Sequence, residues 1–371
     1  MVNAGILDKD DREFDIYADV DLQPTDVTER YKGYMKRKVV FIIGTVLVLF
    51  CIVIYAAGQG TIDISFFDTL RYIFTFDNSG EGRIVWNIRM VRILAALMVG
   101  AGLAVSGVVM QSILRNPLAS PYTLGLSSAA AFGAAFAIMF LQGGATNTSS
   151  IDFSNPYIVT ICAFLFSMLA TAVILLLTRI TKVTAETLVL AGVAINAIFA
   201  AALSALQYFS NSIQLSNMVS WTFGDLGRAS WMWNELVFLV LLPVTIFFIY
   251  NRWTYNAIDA GEETAQGLGI NTGRERIVGM VLSAFLCSIL VSFFGIIAFI
   301  GLLGPHIARM LIGGDHRYLI PAAMVIGSII LLLSDTLGRL LLAPAVIPVG
   351  IITSMLGGPM FIYLLIRRKT I

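Results

Sequence analysis

Nine long stretches of this sequence contain no Asp, Glu, Lys or Arg, and they restrict the folds that the chain can adopt. They are residues 39–62, 93–114, 116–151, 153–178, 187–224, 236–251, 277–308, 318–334 and 340–366. A helix needs about 20 apolar residues to cross the hydrocarbon core of a bilayer, so the longest stretches hold a crossing plus a turn or a second element. The sequence therefore predicts an all-α, polytopic membrane protein with about ten transmembrane helices.

The composition excludes an ordinary soluble enzyme. Hydrophobic residues make up 58% of the 371 residues and charged residues only 13%, whereas soluble domains carry about 25% charged residues. The formal net charge of +1 provides no general attraction for nucleic acid. The three cysteines all lie in apolar stretches, which favours reduced packing residues over a disulfide or metal framework.

The polarity changes sharply at Lys38. Residues 1–38 carry 16 of the 47 charged side chains, and they are too polar to form the apolar core of a signal peptide. We interpret 1–38 as a polar cytoplasmic tail and 39–371 as a ten-span membrane domain. The predicted spans are residues 39–58, 84–113, 123–141, 156–180, 186–208, 232–250, 276–294, 296–312, 319–340 and 346–366.

The basic residues indicate the orientation. With these spans, sixteen Lys and Arg fall on the side of the N-terminal tail, three fall in loops on the other side, and five lie within or at the ends of spans. Cytoplasmic loops carry the excess of basic residues in membrane proteins. We therefore expect a multi-pass membrane protein, surrounded by lipid, with both termini in the cytoplasm.

Small residues and prolines distinguish some spans from the rest. Residues 95–107 are rich in Gly and Ala, which favours burial among other helices because small residues let backbones approach closely. Prolines at 117, 121 and 305 predict helix breaks at 115–121 and 301–306. Broken helices at membrane depth expose backbone groups that need protein or water partners, so such breaks often line a pathway.

The segment 251–276 is the only long polar stretch between spans, and the predicted topology places it in the cytoplasm. Within it, residues 265–269 (AQGLG) are typical of a short helix that stops and turns back to the membrane, although a solvated loop is an equal alternative. The sequence contains no Gly-Lys pair and therefore no phosphate-binding loop of the G-x-x-x-x-G-K-[ST] type. Any ATP-driven work must therefore rely on another protein.

Several short motifs occur in a fixed order along the chain: RMVR at 89–92, RNPLASP at 115–121, AQGLG at 265–269, FIGLLGPHIAR at 299–309, GGDHR at 313–317 and GGPMF at 357–361. Together they resemble the permease subunits of FecCD-type ABC importers, which move iron–siderophore chelates, haem and cobalamin. The resemblance spans about residues 84–366 and implies a location in the bacterial cytoplasmic membrane. It implies a type II ABC importer permease architecture: ten-span permeases that work as a dimer with a second copy or a paralogue, two cytoplasmic ATPase subunits and an extracytoplasmic substrate-binding protein.

The resemblance also implies a coupling loop. In such importers a cytoplasmic loop helix docks on the ATPase, and the matching positions here are Ala265, Gln266, Leu268 and Gly269. Small residues suit this contact because the two backbones must approach closely.

Three arginines match the positions at which the family docks its binding protein. They are Arg89, Arg92 and Arg339, and the sequence departs from the usual R-x-P-R form by having Val91. The alternative is that each arginine pairs internally, with Asp335 four residues before Arg339 as a ready partner.

The translocation path and its cytoplasmic gate are expected at the first proline break and between the fourth and fifth spans. The candidate residues are Gln111, Asn116, Pro117, Leu118, Ala185 and Glu186. An equal alternative is that Gln111 and Asn116 only satisfy broken helix ends.

Other function classes fit less well. An ion-coupled secondary transporter would place carboxylates at the bilayer midplane, whereas Asp335 is near the end of a span. An intramembrane hydrolase would need a nucleophile with a base, and neither His306 nor His316 has such a partner in the sequence. We expect no metal site and no cofactor. Iron–siderophore import is the first choice, with haem or cobalamin as alternatives.

Overall fold

A computed structural model describes residues 24–60, 64–75, 79–141, 155–180 and 185–368. Residues 1–23 of the predicted tail lie outside this part of the chain.

The described residues form helices joined by short connections. In chain order these are α1 (Pro24–Gly58), α2 (Phe66–Phe74), α3 (Gly80–Ile84), α4 (Val91–Ile113), α5 (Leu126–Phe140), α6 (Pro156–Ile180), α7 (Ala185–Phe209), α8 (Ser212–Thr222), α9 (Trp231–Tyr250), α10 (Arg252–Ala260), α11 (Glu262–Gly267), α12 (Thr272–Phe294), α13 (Ile300–Ile312), α14 (His316–Leu340) and α15 (Val349–Arg368). A π-helical turn (Val85–Met90) joins α3 to α4, and 3-10 turns occur at Pro121–Leu124 and Leu226–Arg228.

The prediction of about ten crossings is confirmed. Seven helical segments of the described chain are long and apolar enough to span a bilayer: Tyr31–Gly58, Gly80–Ile113, Pro156–Leu177, Glu186–Phe209, Trp231–Tyr250, Thr272–Phe294 and His316–Leu340. The other three predicted spans are the shorter apolar helices Leu126–Phe140, Ile300–Ile312 and Val349–Met360. The fifteen residues of α5 rise only about 22 Å and the thirteen of α13 about 20 Å, so each needs flanking non-helical residues to complete its crossing.

Helix α4 lies at the centre of the bundle. In its most apolar stretch 78% of the residues are buried, against 11% in α1 and 17% in α7. It packs against α12, α13 and α14. The predicted burial of the small-residue segment 95–107 is therefore confirmed.

Two glycines of α4 allow these close contacts. A Cβ atom on Gly100 would lie 2.6 Å from the carbonyl oxygen of Gly327 in α14, and a Cβ atom on Gly107 would collide with the carbonyl oxygen of Gly301 in α13. The backbones therefore touch where any larger residue would separate them. Pro305 has no N–H to donate to the Gly301 carbonyl four residues earlier, so this oxygen is available to face α4.

The first predicted helix break is confirmed and the second is displaced. Helix α4 ends at Ile113, and Arg115 has a positive φ of 46°, which redirects the chain before Pro117. In contrast, 301–306 lies inside α13, and the chain is non-helical just before it, at 295–299. Gly295 has φ 77° and Phe299 has φ 67°, so the turn precedes the helix and Pro305 is accommodated within it.

The polarity boundary at Lys38 does not interrupt helix α1, which runs continuously from Pro24. This polar extension contacts the start of α14. The Arg317 guanidinium donates to the Tyr31 hydroxyl (3.1 Å), and the Tyr318 hydroxyl lies 3.0 Å from the Met35 sulfur. Residues 24–38 are therefore attached to the helix bundle.

Candidate functional site

The predicted coupling segment folds as two short helices, α10 and α11, rather than one. Gly261 separates them with a φ of 139°, and α11 stops at Gly267 before Gly269, which has a φ of 80°. The predicted helix stop at this point is confirmed. Both glycines adopt backbone angles that residues with a side chain rarely take.

The four predicted coupling residues do not share one surface. Ala265 is completely buried against Ala257, Ile258 and Ile270, which form a small apolar core beneath α11. Gln266, Leu268 and Gly269 are exposed, and the Leu268 side chain has 69% of its surface accessible. Ala265 therefore anchors α11, and the other three positions form the outward surface.

An ion pair connects α11 to the neighbouring spans. Arg276, the fifth residue of α12, is 5% exposed and contacts the Glu262 carboxylate with both terminal nitrogens, at 3.2 and 3.0 Å. Its Nε donates to the carbonyl oxygen of Ile113, the last residue of α4, at 3.1 Å. The hydrogen bonds from Arg276 lower the pKa of Glu262, outweighing the opposite effect of its burial.

A second set of contacts holds α10 against the short segment between α13 and α14. The Asn256 amide donates to Asp315 (3.1 Å), and its oxygen accepts the backbone N–H of His316 (2.8 Å). Asp259 lies 3.6 Å from Arg309. Burial raises the pKa of Asp315, but hydrogen bonds from Arg317 and Asn256 outweigh it and lower this pKa to about 2.

A cavity of about 580 Å³ lies between the end of α4 and these contacts. Its lining is mainly polar and charged: Gln111, Arg115, Pro117, Asn256, Asp259, Arg309, Gly314 and Asp315. The structure thus brings two predicted path residues, Gln111 and Pro117, together with the α10 segment.

The predicted path and gate residues lie in two separate places, the end of α4 and the start of α7. Gln111 is 3% exposed, and neither polar atom of its side chain has a hydrogen-bond partner among the described residues. Asn116 and Leu118 lie in the broken segment, where the Asn116 side chain accepts the Leu118 backbone N–H at 2.9 Å. The Asn116 side chain therefore provides a hydrogen-bond acceptor for the broken backbone, as the alternative role requires. The Gln111 side chain does not.

Ala185 and Glu186 lie elsewhere, in the first turn of α7, and Glu186 does not line the cavity. The Glu186 side chain is exposed.

The three predicted docking arginines lie together at the opposite end of the bundle. Arg89 is 6% exposed and donates to the carbonyl oxygens of Ala57 and Gly58, at 2.7 and 2.8 Å. Arg92 and Arg339 both contact the buried Asp335, at 2.8 and 3.2 Å.

Internal pairing, which was the alternative to docking, is therefore present at this end, including the contact between Asp335 and Arg339. Arg339 also donates to Gln59 O (3.1 Å) and Ala56 O (3.3 Å), and Arg92 lies 3.6 Å from Asp225. We call these three arginines with Asp335 and Asp225 the arginine cluster. Its docking role stays a prediction.

The junction of Glu262, Arg276 and Asn256 was not predicted from the sequence. One signal was available: Pro117 removes the N–H that would normally bond to Ile113 O, so this carbonyl needed another donor. Nothing in the sequence identified Arg276 as that donor. Among the described residues, no group of three or more His, Cys, Asp or Glu could hold a metal ion, and His316 is instead buried against Asn256.

Comparison with known proteins decides the family. The profile of the FecCD transport family matches residues 46–367. The chain belongs to this family. A protein of Methanocaldococcus jannaschii, named as a candidate ABC transporter permease, is 48% identical over 92% of this chain and 98% of its own length.

Relatives with assigned names and a solved structure agree with this assignment. The hemin transport system permease of Yersinia pestis is 38% identical, covering 88% of this chain and 96% of its own. The iron(3+)-hydroxamate import permease of Bacillus subtilis is 34% identical, also covering 88% of this chain and 96% of its own. An inward-facing structure titled as a candidate metal-chelate type ABC transporter has a TM-score of 0.77 and 31% identity, covering 88% of this chain and 99% of that one.

The FecCD chain is thus a multi-pass membrane permease subunit with the fold of an ABC importer permease. ABC importer permeases form dimers and work with ATPase subunits and a binding protein, and the ATPase activity lies in those separate subunits.

Proposed function

We propose that this FecCD chain forms the translocation path of an ATP-driven importer for iron–siderophore complexes and works by alternating access. The observation that carries the proposal is the α10–α11 segment: it presents exposed Leu268 and Gln266 on a helix whose base is fixed by buried Ala265. A rigidly mounted, outward-facing contact is what a separate ATPase needs in order to move a membrane helix.

The choice of ligand rests on the relatives. One is named for hemin and another for iron(3+)-hydroxamate, so the shared chemistry is a bulky iron chelate. Siderophore complexes are our first choice, and haem and cobalamin are the alternatives. We place the path along Gln111, Asn116, Pro117 and Leu118, with Ala185 and Glu186 at a second point on the gate.

The proposal includes a topology in which the α10–α11 segment faces the cytoplasm and the arginine cluster faces the binding protein. Arg92 and Arg339 keep 15% and 13% of their side-chain surface accessible, so they are better placed for docking than Arg89. Asp335, the carboxylate that an ion-coupled transporter would require, already contacts both arginines.

Replacement of Leu268 tests the coupling role. Leu268→Asp places a charge at the centre of the exposed surface, so co-purification of the ATPase subunits and ATP-dependent uptake should both be lost. Leu342→Asp is the matched control, because Leu342 is 61% exposed at the opposite end of the bundle. Retention of the ATPase by Leu268→Asp, or equal loss with Leu342→Asp, would contradict the assignment.

Uptake in proteoliposomes tests the ligand and the energy source. The permease, its ATPase subunits and its binding protein are reconstituted, and accumulation of a radiolabelled iron–siderophore, haem or cobalamin is measured with and without ATP. We expect ATP-dependent accumulation of the siderophore complex. Accumulation of haem or cobalamin alone would replace the ligand, and accumulation without ATPase subunits would favour a secondary transporter.

A further inference from the structure

We propose that Glu262 and Arg276 form a mechanical relay that transmits movement of α11 to the broken end of α4. This inference rests on the proposed coupling role of the α10–α11 segment. It adds how that segment reaches the gate.

The relay begins with a carbonyl oxygen that the sequence leaves without its helical donor. In an α-helix the oxygen of Ile113 would accept the N–H of residue 117, but residue 117 is proline. The two preceding carbonyls find donors within the turn, since Gln111 O accepts from Asn116 N and Ser112 O from Arg115 N. Ile113 O accepts instead from Arg276 Nε of α12.

The terminal nitrogens of the same guanidinium contact α11. Both terminal nitrogens of Arg276 contact the two Glu262 oxygens, and the Thr272 hydroxyl donates to one of them at 3.1 Å. A bidentate arginine–carboxylate contact fixes direction as well as distance. One buried guanidinium therefore joins the first residue of α11 to the last residue of α4.

The two ends of this relay are functional surfaces in the proposed mechanism. Glu262 is four residues from Gln266, about 6 Å along α11. Ile113 is directly followed by the broken segment that contains Asn116 and Leu118. The packing at the junction is tight, because a Cβ atom on Gly279 of α12 would meet Ile113 and Val109 of α4 at 3.2 Å. The start of α12, which carries Arg276, is therefore packed directly against the end of α4.

Removal of the relay should separate ATP hydrolysis from transport. We would measure chelate transported per ATP hydrolysed in the complete reconstituted complex for Arg276→Met, Arg276→Lys and Glu262→Gln. Arg276→Met should lower this ratio about tenfold, within the range typical of coupling between two sites, while ATPase association is retained. Arg276→Lys and Glu262→Gln should lower it less, since each keeps part of the contact.

Matched controls lie beside each relay residue. Arg274 and Glu263 are exposed neighbours of Arg276 and Glu262, so Arg274→Met and Glu263→Gln should leave the ratio unchanged. The exchange Glu262→Arg with Arg276→Glu should restore the ion pair but not the ratio, because a carboxylate cannot donate to Ile113 O. Recovery of full coupling by this exchange would show that the ion pair alone suffices and would overturn the relay.

The same measurements distinguish failure of the relay from failure of the proposed function. If the wild-type complex couples uptake to ATP and Arg276→Met couples equally well, the relay is wrong and the importer assignment stands. If the wild type neither binds an ATPase nor accumulates a chelate, the proposed function itself fails. A variant that is merely destabilised would lose hydrolysis and uptake together, leaving their ratio intact, and that result would assign Arg276 a structural role only.

Discussion

Arginines occupy helix ends at both sides of this bundle, but they are held in different ways. At the arginine cluster, Arg89 and Arg339 donate to the last carbonyls of α1, and Arg339 also contacts Asp335, whose side chain is completely buried. At the α10–α11 end, Arg276 donates to the last carbonyl of α4, but its carboxylate partner Glu262 keeps 40% of its side chain accessible.

The difference concerns what happens when a contact opens. At the arginine cluster the carboxylate is the buried partner and contacts two arginines, whereas at the α10–α11 end the arginine is the buried partner and the carboxylate is rehydrated if it leaves. The arginine cluster is therefore suited to anchor α1, α4 and α14 together. The α10–α11 end instead joins α11 to α4 through one guanidinium, and α4 connects the two ends because it carries Arg92 near one terminus and Ile113 at the other.

Neutralisation of Asp335 should have the largest effect on stability and tests the difference between the two ends of the bundle most directly. Asp335→Asn leaves the half-buried Arg339 without its carboxylate and Arg92 with only the more distant Asp225, so we expect a loss of about 3–5 kcal/mol in the free energy of unfolding. Thermal unfolding in detergent measures this loss. The control is Asp225→Asn, because Asp225 is 3.6 Å from Arg92 with 36% of its side chain accessible, and its effect should be about 0–1 kcal/mol. Equal effects from the two variants would refute the view of a buried anchor.

Replacement of Arg89 should have an intermediate effect. Arg89→Met removes the two hydrogen bonds from one guanidinium nitrogen to the end of α1, which together contribute about 1.5–3 kcal/mol, and should speed hydrogen exchange at the C-terminus of α1. Arg71→Met is the control, since Arg71 is exposed. Unchanged exchange combined with weaker association of the binding protein would instead place Arg89 on the docking surface.

Titration of Asp315 should have the smallest effect. Its pKa is about 2 in the folded chain against an ordinary 3.8, so its ionised form stabilises the fold above about pH 4. This stabilisation is lost as the pH falls through about 2. The difference in unfolding midpoint between wild type and Asp315→Asn should therefore stay constant from about pH 8 to pH 5 and shrink below pH 4. A difference that shrinks near neutral pH would contradict the contacts made by Arg317 and Asn256.

Much of the fold was predictable because hydropathy and small-residue content are local properties. Four features follow from residues that are close in sequence. They are the ten crossings, the burial of 95–107, the helix stop before Gly269 and the contact between Asp335 and Arg339. The second helix break was misplaced because Pro305 was read as a breaker, whereas the positive φ angles at Gly295 and Phe299 make the turn before it.

The candidate site was only partly predictable. The exposed positions Gln266, Leu268 and Gly269 agree with a contact surface, but Ala265 is buried, because α10 folds back beneath α11. The direction of the Arg89 side chain could not be read from the sequence: Arg89 lies in the π-helical turn, and its guanidinium contacts the end of α1.

The sequence by itself determined the class of protein, the number of crossings and the end of α4 at Ile113, because apolar length and the missing N–H of Pro117 act on neighbouring residues. Only the tertiary structure decided which donor satisfies Ile113 O and which charges are buried. Arg276 follows Ile113 by 163 residues and Asp335 follows Arg92 by 243. Such partners are selected by the packing of whole helices, which no local pattern specifies.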